Sequence, residues 1–127
     1  AEITPILEDT FDIEIIEKHH NKKLDAPSGT AKMLLEAADA DGSYEHVFGR
    51  DGNRKRGREI GVHAIRGGTI AGEHTVIYAG TDEILEVKHT AGSKKIFAAG
   101  ALKAAAFAAQ AQPGLYSMED VLFGTDK

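Results

Sequence analysis

Asp12-Ile13-Glu14-Ile15-Ile16-Glu17 runs without a break into Lys18-His19-His20-Asn21-Lys22-Lys23-Leu24-Asp25-Ala26-Pro27-Ser28-Gly29-Thr30, and the fold follows from this stretch. Its opening residues alternate with a period of two, the pattern of a half-buried β-strand. Its end opens a helix. Ser28 or Thr30 can cap it, and Pro27 suits the approach because its ring fixes φ and has no N–H to lose. Ala31, Met33, Leu34, Leu35 and Ala38 carry that helix to about Ala40. Between strand and helix, two histidines and three lysines crowd into the six residues 18–23 of a chain whose formal net charge is -5. Like charges repel, and salt screens them only beyond about 8–10 Å. An anion seated among them is the simplest explanation. The helix start is an anion site in its own right, because its first amides lack intrahelical partners and carry the positive end of the macrodipole. Lysines, histidines and free amides converging there point to a small carboxylate or phosphate compound. A solvated turn is the plainer alternative, and Ser28-Gly29-Thr30 can cap and bind at once.

At 127 residues the chain reads as one domain. It holds no run of about 18 apolar residues, so no membrane span is expected. No basic segment precedes an apolar core at its start, so no signal peptide is expected either. The lack of cysteine excludes disulfides and thiolate metal sites and fits, without proving, a reducing compartment; a cytoplasmic location is expected. A pI of about 5.6 and an aromatic content of 6% argue against nucleic-acid partners. The chain begins with Ala rather than Met, as expected of either a processed chain or a cut piece of something longer.

Residues 1–11 read as a lead-in and 124–127 as a tail. Residues 41–58 are polar and rich in glycine, with the basic run Arg54-Lys55-Arg56-Gly57-Arg58, and read as one long exposed loop. Strands follow at 60–66, 74–79 and 84–90, punctuated by Gly67-Gly68 and Gly80-Thr81-Asp82, and read as an antiparallel meander. The opening strand is expected to join their sheet through a helix crossover. Residues 93–111 form the last long helix, which is apolar on almost every side and must be covered. Pro113-Gly114 ends it, and 118–123 reads as a short amphipathic segment. The expected class is α+β: a mixed sheet of about four strands with two main helices on one face. The bare face of such a sheet favours a homotetramer, with Ile13, Ile15, Val62, Ile65, Val76, Tyr78, Leu85 and Val87 offered as its apolar surface.

Four motifs in order, EKHHNKKLDAPSGTA, REIGVHAIRGGTIAGEHTVIYAG, EILEVKHTAGSKKIFAAGALKAA and PGLYSMEDVL, resemble the C-terminal half of dihydrodipicolinate reductase, an enzyme family of the diaminopimelate–lysine pathway. The likeness covers residues 12–123, which would be the substrate-binding and oligomerisation domain. It implies a two-domain NADPH- or NADH-dependent oxidoreductase whose N-terminal part is a dinucleotide-binding fold. That part is not expected in this chain, since no G-x-G-x-x-G follows a strand and no βαβ unit fits ahead of residue 12. No cofactor-binding residue is therefore assigned here. The resemblance also implies a homotetramer, and a nucleotide domain packed on the 93–111 helix.

By the same resemblance His19 is a proton donor and acceptor and Lys23 a proton donor. His20 contacts a small dicarboxylate substrate, and Gly29 and Thr30 hold a carboxylate. The family reaction adds hydride to a conjugated imine, which pushes negative charge towards the ring nitrogen and calls for a proton there. Neighbours in a strand point to opposite faces, so His19 and His20 can share a site only where the strand gives way to loop. Lys94 stands where many members carry arginine, keeping the charge but losing the bidentate fork. The 54–58 loop could approach a neighbouring subunit's substrate or cofactor. A metal site among His19, His20, His63, His74 and His89 lacks the H-x-x-x-H spacing, so no metal is expected; the last three read as strand residues paired across the sheet or at a subunit contact. The competing class is a non-catalytic dicarboxylate-binding or assembly module.

Overall fold

The alternating stretch does form a strand, β1 (Asp12–His19). A computed structural model describes residues 1–124, so the expected tail lies outside the described residues except for Gly124. Ile13, Ile15 and Glu17 share one face of β1 and are fully buried. Against that face lies α2 (Gly29–Ala38), preceded in the chain by a short helix, α1 (Thr4–Leu7). Ser28 caps α2, its Oγ accepting the Ala31 amide at 3.2 Å. The helix buries Ala31, Leu35 and Ala38.

The remaining strands are β2 (Glu45–Phe48), β3 (Glu59–Arg66), β4 (Glu73–Gly80) and β5 (Glu83–Thr90). They form a five-stranded sheet in the order β2-β3-β1-β4-β5. The class is α+β with a mixed sheet, as expected, but with one strand more. β2 lies inside the segment read as a loop. It is a short edge strand with no buried residue, so it carries no apolar alternation to betray it.

The expected meander is corrected as well. β4 and β5 form an antiparallel hairpin, whereas β3 does not touch β4: β1 lies between them, parallel to β3 and antiparallel to β4. The parallel pair needs a crossover, and α2 supplies it, in line with the expected return of the opening strand. Ile60 and Val62 of β3 and Val76 and Tyr78 of β4 then join Ile13 and Ile15 in one core. Each such aliphatic side chain contributes about 1.5–3 kcal/mol by leaving water. Five of the eight residues offered for assembly, Ile13, Ile15, Val62, Val76 and Tyr78, are consumed here; Ile65, Leu85 and Val87 remain exposed. The other face of the sheet holds Ile16, Ile77 and Ile84 with Ile65, two of them, Ile65 and Ile84, exposed.

The lead-in is not idle. Thr4 is buried and shares a 2.8 Å hydrogen bond with the Tyr78 hydroxyl, while Leu7 and Phe11 pack on the core. All of this belongs to one compact unit, residues 1–91. A second unit begins at Gly92 and holds α3 (Lys95–Ala108) and α4 (Met118–Phe123). Lys94 is the N-cap of α3, no α3 residue is buried, and Phe107 meets Tyr116 edge to face at 5.1 Å. Ser117 and Asp120 close a capping box on α4.

Candidate functional site

Glu17 organises the end of β1. Period two carries it onto the same inward face as Ile13 and Ile15, and a carboxylate there must be paired. Its partners come from three elements. Arg66, at the end of β3, donates to both oxygens at 2.7 and 2.6 Å, a fork-to-fork contact. The Ser28 amide at the α2 start donates to Oε1 at 3.0 Å. His19 Nδ1 lies 2.6 Å from Oε2. Burial pushes the Glu17 carboxyl up, yet these donors together hold it below its ordinary 4.5.

A second link closes the group. Ser28 Oγ, besides capping α2, hydrogen-bonds His74 Nε2 at 2.8 Å. The His74 and His19 rings meet edge to face with centroids 5.1 Å apart. Burial, then the charge of neighbouring His19, holds the His74 imidazole below its ordinary 6.5. Lys23 also contributes to that lowering, so it lies within electrostatic reach of the same ring.

The sequence-derived residues fall as follows. His19 ends β1 and sits in the Glu17 group. His20 begins the turn, its carbonyl accepting the Lys23 amide at 3.1 Å. Lys23 Nζ pairs with Asp25 Oδ1 at 2.8 Å. Gly29 and Thr30, both exposed, are the first residues of α2 immediately after Ser28. Their amides precede the first intrahelical bond, Lys32 to Ser28, and point out of the helix mouth. His19 and the helix start are thus joined through Glu17, Ser28 and His74. His63 and His74 are strand residues as expected: His74 faces His89 across the sheet, and His63 Nε2 lies 2.6 Å from Glu14 Oε2.

Glu17, Arg66 and His74 were missed as site residues. For Glu17 the signal was present, because alternation puts it in phase with buried isoleucines. Arg66 and His74 lie 49 and 46 residues from their partners, with no local cue. The basic 54–58 loop is held by carboxylates of its own chain. Arg54 and Arg56, with Arg50, bind Glu14 and the buried Glu59, and Arg56 Nε reaches Asp12 at 2.8 Å. Arg56 and Arg58 also line a cleft of about 420 Å³ with Glu8, Phe11 and Tyr44, which shares no residue with the His19 group. Among the described residues no cluster of three or more His, Asp or Glu could hold a metal, and no helix is long and apolar enough to cross a membrane.

Fold and site together define an α+β domain with a mixed sheet, whose central strand delivers a carboxylate-held imidazole to a capped helix start. This chain belongs to the family described as dihydrodipicolinate reductase, C-terminus, whose model matches residues 1–122. It is 55% identical over 113 residues to the 4-hydroxy-tetrahydrodipicolinate reductase of Methanosarcina acetivorans, covering 88% of this chain and 43% of that protein. It is 54% identical over 124 residues to the enzyme of the same name from Clostridium novyi, covering 95% and 49%. This chain therefore spans about half the length of the curated relatives it matches. Its fold matches that of a dipicolinate-bound dihydrodipicolinate reductase from Paenisporosarcina sp. TG-14, with a TM-score of 0.67 at 22% identity over 94% of this chain and 48% of that one.

Proposed function

We propose that residues 12–123 are the substrate-binding and assembly domain of a 4-hydroxy-tetrahydrodipicolinate reductase. The reaction is the reductive loss of water that converts 4-hydroxy-tetrahydrodipicolinate to tetrahydrodipicolinate in lysine and diaminopimelate biosynthesis. The observation that carries this reading is the 54% identity across 95% of the chain with a protein of that name. The chemistry of the site agrees with it. Two imidazoles, an ammonium and outward-facing helix amides suit a dianionic ring compound, and dipicolinate is the ligand named for the structural neighbour.

In this reading His19 exchanges a proton with the substrate and Lys23 donates one. His20 contacts the ring, while the Gly29 and Thr30 amides hold a carboxylate. NADPH or NADH supplies hydride when bound. The residues that hold it lie in a nucleotide-binding domain that packs on the 93–111 helix. The assembled protein is a cytoplasmic homotetramer, and the sheet face bearing Ile65 and Ile84 is its apolar contact.

Joining this chain to the nucleotide-binding domain of the Clostridium novyi relative tests the proposal. Substrate-dependent loss of nicotinamide absorbance is expected from the joined protein and not from the chain alone. Pyridine-2,6-dicarboxylate added to the chain should shift the His19 and His20 NMR signals. Shifts without turnover in the joined protein would favour a non-catalytic dicarboxylate-binding module. Unmoved histidines at saturation would overturn the site.

A further inference from the structure

We propose that Glu17 is a positioning residue that fixes the tautomer of His19, so that Nδ1 carries the proton in the neutral ring and Nε2 is the atom presented for proton exchange. This deepens the reductase reading, since it takes His19 to be the proton-exchanging group; the tautomer itself stands on local geometry alone.

The argument begins with what Glu17 can accept and what it cannot give. An ionised carboxylate is acceptor-only. Arg66 keeps Glu17 ionised by donating to both oxygens, and Ser28 N adds a third bond. An imidazole nitrogen 2.6 Å from such an oxygen must bring a proton to the contact. In the neutral ring Nδ1 is therefore the donor and Nε2 holds the lone pair. A wrong tautomer would turn a lone pair on Nδ1 against the carboxylate. The Arg66 charge also offsets that of Glu17, so the ring is oriented by a hydrogen bond without an unbalanced anion beneath it.

Nδ1 is thus occupied, which leaves Nε2 for exchange. Gly72 keeps that atom accessible, for a Cβ on residue 72 would stand 3.2 Å from it. The same carboxylate ties three elements at one point: the end of β1, the end of β3 and the start of α2. Orientation of the ring is thereby coupled to placement of the helix amides.

The Glu17→Gln substitution separates orientation from support. Its carboxamide has one acceptor and one donor group, and the Oε1 position faces two donors that cannot reverse, Ser28 N and Arg66 Nη2. The amide oxygen settles there. The NH2 group then faces Arg66 Nη1 and His19 Nδ1, of which only the imidazole can turn acceptor, by taking the other tautomer.

The test is a long-range proton–nitrogen correlation on the full 127-residue chain, labelled with nitrogen-15 and held at mildly alkaline pH, with neither substrate nor cofactor present. Wild type should report Nδ1–H at His19, and Glu17→Gln should report mainly Nε2–H. Arg66→Gln removes a clamp from the same carboxylate yet leaves Nδ1 its acceptor, so it should retain Nδ1–H while losing stability. A merely structural role for Glu17 predicts that both variants move His19 alike. Nε2–H in the folded wild type, or an unchanged tautomer in folded Glu17→Gln, overturns the proposal. Should Glu17→Gln fail to fold, the wild-type and Arg66→Gln spectra still decide it. Failure of the reductase assignment would leave these spectra untouched, whereas failure here would leave turnover by the joined protein as the separate test of that assignment. In the joined enzyme, loss of the correct tautomer should lower kcat by roughly 10²–10⁴-fold.

Discussion

Gly72 lies against the ring of His19, and a Cβ at position 72 would stand 3.2 Å from His19 Nε2 and 3.5 Å from Cδ2. The imidazole has little freedom to retreat, since Nδ1 is held 2.6 Å from Glu17. Gly72→Ala should therefore crowd Nε2 and weaken pyridine-2,6-dicarboxylate binding by roughly tenfold, about 1.4 kcal/mol. Gly68→Ala is the control, because residue 68 also has a positive φ, 48° against 157° at residue 72, while a Cβ there meets nothing within 4 Å. Titration of the His19 signals in both variants checks this. Equal affinities would remove Gly72 from the account of the site.

Acid should undo the domain through two glutamates in particular. Glu59 is held at about 2, first by Arg50, against an ordinary 4.5. Glu73 is likewise held at about 2, first by Lys18. A group whose folded pKa is depressed contributes stability that is complete above its unfolded value and fades as pH falls towards the folded one. The urea midpoint should thus slip a little below pH 6.5, where His74 protonates more readily unfolded than folded, and then drop steeply from about pH 4.5 towards about 2. Glu59→Gln should lower stability at neutral pH and flatten that slope. A slope as steep as wild type in this variant would assign the acid response elsewhere.

Tyr78 and Thr4 test how firmly residues 1–11 belong to the domain. Their hydroxyls share a buried 2.8 Å bond between the core of β4 and the first residue of α1. Tyr78→Phe keeps the ring in place and leaves the Thr4 hydroxyl buried without its partner, at a cost of about 1–3 kcal/mol. Thr4→Val with Tyr78→Phe removes both polar groups and should recover much of that loss. Urea unfolding of the single and double variants measures it. A neutral Tyr78→Phe would mean that α1 is only loosely docked.

Local chemistry made β1 and α2 legible. Ile13 and Ile15 alternate with charged neighbours, and a serine after proline is a capping signal that Ser28 fulfils. What failed was non-local. Nothing in the residues of β3 and β4 says that β1 inserts between them, and sequential strands are naturally read as neighbours. β2 escaped because an exposed edge strand has no buried face to imprint a pattern. At the site, the basic turn drew attention to His19, His20 and Lys23, while the group that holds His19 is anionic and buried. Glu17 was readable in principle: its phase matches Ile13 and Ile15, and a carboxylate on the core side implies a cation elsewhere. That the cation is Arg66 required the fold. The arginines of the 54–58 loop pair partly with Glu59, which follows them directly in sequence, and partly with Glu14, which lies 42 residues from Arg56 and required the fold.

Gly61 shows how tightly that arginine cluster is built. The Glu14 carboxylate lies across it, so that a Cβ on residue 61 would fall 2.6 Å from Glu14 Cδ and 2.9 Å from Oε1. A flexible glutamate would ordinarily swing aside at little cost. This one is bound by Arg50, Arg56 and His63 at once, so moving it breaks three contacts. Gly61→Ala should accordingly destabilise the domain by about 1–3 kcal/mol, the usual cost of overpacking. The loss should depend on Glu14, because in a Glu14→Ala background the three atoms nearest the added methyl are gone. A double-mutant cycle by urea denaturation should therefore return a coupling of about 1 kcal/mol or more between positions 14 and 61. Simple additivity would show that the glutamate yields freely and that the arginine cluster does not fix it.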